Sequence, residues 1–79
     1  MSYEITVVQE TSRRAVYYVN GERAGPDAAS VFARVAGPTR LHVAAACRTA
    51  KKMERRQAVV LAMAPLGWRA YIKTAEKAS

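Results

Sequence analysis

Asn20-Gly21 is the dipeptide that most constrains this chain, because a type I′ hairpin turn needs φ > 0 at both central positions and Asn-Gly supplies it. Before it stands Arg14 to Val19, RAVYYV, which is rich in β-branched and aromatic residues and reads as a strand. Tyr17 and Tyr18 then point to opposite faces. Further upstream, Tyr3 to Gln9 alternates Tyr3, Ile5, Val7 and Gln9 against Glu4, Thr6 and Val8. Glu10 to Arg13 is polar and suits a turn. The reading is an antiparallel hairpin, 3–9 with 14–19, followed by a short third strand over 22–24.

Gly25-Pro26 ends that hairpin and opens a helix over 27–36, with Pro26 or Asp27 at its start and Val31, Phe32 and Val35 as its buried face. Gly37-Pro38 stops it. Thr39 can cap a second helix over 39–57, although no acid stands three residues later to complete a capping box. On that helix Arg48, Lys51, Lys52, Arg55 and Arg56 fall at spacings of three and four, with Arg40 just beyond the edge of the stripe. Val43, Ala46, Cys47, Ala50 and Met53 make an apolar stripe on the other side. Only Glu54 interrupts the basic run. Such a helix packs inward with one face and offers the other to something negative.

Ala58 to Ala64, AVVLAMA, is apolar throughout, so periodicity alone does not separate strand from helix. A helix continued to Ala64 would run about 26 residues, or ~39 Å, which is long for a small domain. Trp68 to Lys73 is an amphipathic strand, with Trp68, Ala70 and Ile72 on one face and Arg69 and Lys73 on the other. It needs a neighbour. A C-terminal hairpin, 58–63 with 68–73 around Pro65-Leu66-Gly67, is therefore preferred over the long helix. The expected fold is α+β: an antiparallel sheet with both helices on one face, in a single domain over 1–79 whose residues 74–79 form a frayed polar tail.

At 79 residues the core is modest, and its alanine-rich helix faces leave room for a homodimer. Thirteen Lys and Arg against six Asp and Glu give a formal charge of +7, a strong bias towards a polyanionic partner. No run approaches the ~20 apolar residues that cross a membrane. The N-terminus lacks a cationic start, and Cys47 stands alone, so a reducing cytoplasm is the expected setting.

Reactive constellations are missing. His42 and Cys47 are five residues apart, about 140° around one helix, and do not form a nucleophile–base pair. One His, one Cys and scattered carboxylates do not supply a metal site, and the glycines all fall at turns. No cofactor, metal or catalysis is expected. What remains is charge: the second-helix cations, Arg13 and Arg14 at the first turn, and Arg69 with Lys73 on the last strand. Tyr17, Tyr18, Tyr71 and Trp68 offer rings for stacking, with core packing preferred for Trp68 and for one of Tyr17 and Tyr18.

The stretch YYVNGERAGPDAAS, together with TVVQETSRR before it, resembles very small proteins encoded by phages and other mobile elements, and among them the short anti-CRISPR proteins against class 1 systems. The resemblance covers the N-terminal third and carries no functional residue across. It implies a stoichiometric inhibitor that grips a nucleoprotein complex or its nucleic acid. Many members of that group are acidic DNA mimics, a mechanism that this basic chain excludes. The expectation is a non-enzymatic basic binding module for nucleic acid or nucleoprotein. The alternative is an inhibitor or adaptor docking an acidic protein surface.

Overall fold

The computed structural model of the chain describes residues 1–53 and 57–74. Its elements are β1 (Ser2–Thr11), β2 (Arg14–Val19), β3 (Glu22–Gly25), α1 (Ala28–Phe32), α2 (Arg40–Lys51), β4 (Gln57–Ala64) and β5 (Gly67–Thr74). The strands form one antiparallel sheet of order β3-β2-β1-β4-β5. This is the expected α+β class with both hairpins in place.

Asn20 (φ 52°) and Gly21 (φ 83°) make the left-handed turn between β2 and β3. Asn20 also reaches across to β1. Its amide donates to the Glu4 carbonyl at 2.8 Å, and its side-chain oxygen accepts from the Glu4 amide at 2.9 Å. The C-terminal hairpin pairs Ala64 with Gly67 and runs to Gln57 with Thr74. β4 lies between β1 and β5, and its residues 58–62 are buried or half-buried whichever face they point to, in keeping with the lack of polar alternation in AVVLAMA.

Alternation sorts the strands into two faces. Tyr3, Ile5, Val7, Tyr17, Val19, Val59, Leu61 and Trp68 point at the helices, where they meet Val31, Val43, Ala46, Cys47 and Ala50. Ile5, Val31, Val43 and Val59 are fully buried, each stabilising the fold by roughly 1.5–3 kcal/mol. Both helices lie on this side. The opposite face carries Glu4, Thr6, Val8, Val16, Tyr18, Ala58, Val60, Ala62, Arg69, Tyr71 and Lys73, and no helix covers it. Val16 on this face is nonetheless only 1% exposed. A two-pronged ion pair from Glu10 on β1 to Arg23 on β3 (2.8 and 3.2 Å) spans the intervening β2 on that same side.

Both helices are shorter than their patterns predict. α1 begins as expected, with Asp27 accepting from the Ser30 amide at 2.9 Å, but it covers 28–32 and not 27–36. Its exit tightens through Arg34 and Val35 amides bonded three residues back. The chain is then held against the sheet: the Tyr3 hydroxyl bonds both the amide and the carbonyl of Ala36, and Gly37 (φ +110°) lies against the Trp68 ring. α2 covers 40–51 and not 39–57. Lys52 and Met53 amides bond three residues back, Met53 packs on the core, and by Gln57 the chain is already in β4. A helix kept straight to Gln57 would carry the chain past the sheet position that β4 must fill.

Candidate polyanion-binding surface

α2 starts at Thr39, whose hydroxyl accepts from the His42 amide at 3.4 Å. His42 Nδ1 in turn accepts from the Thr39 amide at 3.2 Å, so an imidazole completes the capping box that no acid could. Inward, Val43, Ala46, Cys47 and Ala50 are buried. Outward, Arg40, Arg48, Lys51 and Lys52 are exposed, and Leu41 stands among them at 81% exposure. Arg48, Lys51 and Lys52 span an arc of about 100° on the helix wheel. Arg48 and Lys51 lie in the last turn, where the helix dipole favours cations. Arg40 sits at the unfavourable end, with its guanidinium carbon 5.0 Å from the centre of the Phe32 ring.

The acids are distributed unequally. Glu10 pairs with Arg23, Glu22 with Arg34 at 3.5 Å, and Glu4 with Lys73 at 3.9 Å. Asp27 is occupied by the Ser30 amide and hydroxyl, which hold its carboxyl below the usual range. Every acid among the described residues thus lies on β1, β3 or the start of α1. None lies on α2, and among the described residues no acid is within ion-pair distance of its cations.

The predicted basic residues separate into groups. Lys51 borders a cleft of about 580 Å³ together with Val7, Gln9, Met53 and Gln57, which places the end of α2 beside the far half of β1. Arg13 lies in the turn beyond that same end of β1 and Arg14 opens β2, whereas Lys73, opposite Ala58, projects from the face of the sheet away from α2 and pairs with Glu4. Arg13, Arg14, Lys51 and Lys52 therefore lie towards one end, and Lys73 stands apart on the opposite face. Arg40 and Arg69 stand at the other, near the Trp68 end of the sheet. Arg55 and Arg56, expected to extend the stripe, lie outside the described residues, and α2 ends before reaching them.

Cys47 and His42 are structural. Burial pushes the Cys47 thiol up to about 11, with the charge of Asp27 adding to the effect, so no thiolate is available near neutrality. His42 caps its own helix. Among the described residues there is no group of three His, Cys, Asp or Glu placed to hold a metal ion, and no helix long and apolar enough to cross a membrane. Two contributors had no clear sequence signal. Tyr3 looks like one more strand residue until its hydroxyl is seen on Ala36, and His42 at the third helical position lacks the carboxylate that usually marks a capping box. Comparison with known proteins finds no matching family model, curated protein or solved structure.

Proposed function

We propose that the protein is a non-enzymatic binding module that grips nucleic acid, free or within a nucleoprotein complex, through the outer face of α2. One observation carries the reading: Arg40, Arg48 and Lys51 are exposed on a helix that has no acid, with Lys52 at its C-cap, while every described acid is engaged elsewhere. Phosphate contact needs little more than such a field, because each contact releases condensed counterions. Arg13 and Arg14 extend it at one end. An inhibitor of the anti-CRISPR type, holding its target stoichiometrically, is consistent with this chemistry.

Leu41 supports a second reading. An exposed leucine between cations suits an acidic protein surface with an apolar pocket better than it suits phosphate. The triple variant Arg48→Glu/Lys51→Glu/Lys52→Glu decides, read by fluorescence anisotropy with duplex DNA across a salt series. The fold is expected to survive, since these side chains are exposed, while binding is lost. The wild-type slope of log K against log salt should carry about 2.7 units from these three contacts. Wild-type protein that ignores duplex and single strands even at low salt, yet retains a partner from nuclease-treated lysate, would favour the protein-docking reading.

A further inference from the structure

We infer that the uncovered face of the sheet is a stacking platform for single-stranded nucleic acid, centred on Tyr71. This rests on a different face from α2 and on different residues.

β5 is an edge strand, and its alternation turns Arg69, Tyr71 and Lys73 to the bare side. Tyr71 is 47% exposed and sits between two cations, each two residues or roughly 6.7 Å away along the strand. Beside it the register sets Val60, with Ala62 opposite Arg69 and Ala58 opposite Lys73. The floor next to the ring is thus built of small side chains. A planar base can lie against the ring while Arg69 meets one flanking phosphate and Lys73 exchanges its long, exposed 3.9 Å contact with Glu4 for the other. Tyr18, on the same face of β2 beside Thr6, offers a second ring farther along the sheet.

The charge on this face selects the occupant. Its two acids, Glu4 and Glu10, are already paired with Lys73 and Arg23, and with Arg14 and Arg69 the face has a net positive charge. Two copies packed face to face would set these charges against each other, which disfavours a dimer here. A duplex hides the faces of its bases and can use only the cations. An unpaired strand can use both ring and charge, at about 1–3 kcal/mol per stacked base.

The test is anisotropy with a fluorescein-labelled oligothymidylate and with the same oligonucleotide annealed to its complement, at low salt. The single strand should bind more tightly than the duplex. Tyr71→Ala should weaken the single strand about tenfold and leave the duplex unchanged, while Tyr71→Phe keeps the affinity. Should Tyr71→Ala fail to fold, Arg69→Gln/Lys73→Gln gives an independent reading: the salt slope for the single strand should fall by about 1.4, at 0.7 per phosphate. Reversing the α2 charges should leave the Tyr71 effect in place, so this platform and the α2 reading stand or fall separately. Equal affinity for both forms, an unchanged single-strand affinity in Tyr71→Ala, an unchanged slope in the Gln variant, or a dimer in light scattering that Tyr71→Ala splits would each overturn the inference.

Discussion

The Tyr3 hydroxyl accepts a hydrogen bond from the Ala36 amide at 3.0 Å and donates one to the Ala36 carbonyl at 3.1 Å. One phenol on β1 thereby takes both backbone groups of a residue 33 positions away, while its ring stacks on Trp68 with centroids 5.8 Å apart. The connection between the helices is fastened to the sheet at this point. Tyr3→Phe should cost about 1 kcal/mol, because water can partly replace the bonds at exposed Ala36. Gly37→Ala should cost more, about 1–3 kcal/mol, since a Cβ there would lie 2.8 Å from Trp68 Cζ2 and the residue holds φ +110°. Urea midpoints of the two variants would check the order.

Alkaline pH should unfold the protein through two buried acids. Burial raises the Cys47 thiol from an ordinary 9.0 to about 11. Tyr17 is raised as well, by burial first and then by the charges of Cys47 and Asp27. Both groups hold their protons more tightly folded than unfolded. Their contribution is therefore complete below pH 9.0 and lost as pH climbs through about 11, with Cys47 supplying on the order of 2 kcal/mol. Denaturant midpoints for wild type and Cys47→Ala across this range should converge as pH rises. Native protein at neutral pH should resist iodoacetamide and react once unfolded.

Acid should act at one helix cap. The Ser30 hydroxyl and amide hold Asp27 below its ordinary 3.8. A depressed carboxyl stabilises the fold above that value, and the contribution disappears as pH falls through its native one. Asp27→Ala should lower the urea midpoint at neutral pH and remove this part of the acid dependence. Circular dichroism at stepped pH would show it.

Leu41 separates the two partner classes. Leu41→Ala should leave nucleic-acid affinity within about twofold of wild type, because phosphate contact does not use an apolar side chain. It should weaken an acidic protein partner, for which an exposed leucine amid cations is an anchor. Titration calorimetry with each partner would distinguish them.

Much of the frame was legible because it depends on neighbours close in the chain. The Asn20-Gly21 turn, the alternation of Tyr3 to Val8 and the inward stripe of α2 are local patterns, and the structure reproduces them. On β5 the facing of Trp68, Ala70 and Ile72 holds, but only Trp68 packs on the core and Ile72 is 59% exposed. The helix ends were not legible. α1 stops near Phe32 because Tyr3 and Trp68 hold the next residues, and α2 stops at Lys51 because the chain must turn back into β4. Both causes are tertiary. The division of the cations was hidden for the same reason: only the sheet register reveals that Arg69 and Lys73 share the face away from α2 and its Lys51. Tyr17 and Trp68 went to the core, leaving Tyr18 and Tyr71 on the bare side.

Placing β1 between β2 and β4 has a consequence for the order of assembly. Ile5 pairs with Val19 within the first hairpin, but its other partner, Val59, follows 54 positions later (59 − 5). During synthesis the first three strands can close on one another long before the middle of the sheet receives its second neighbour. Until then the edge of β1 stays open, with Ile5 and Val7 uncovered beside it. Joining partners so distant in sequence is slow, and an open strand edge can pair with another chain in the meantime. The nascent protein thus passes through a stage in which its future centre is an exposed border, and the arrival of the last hairpin ends that exposure.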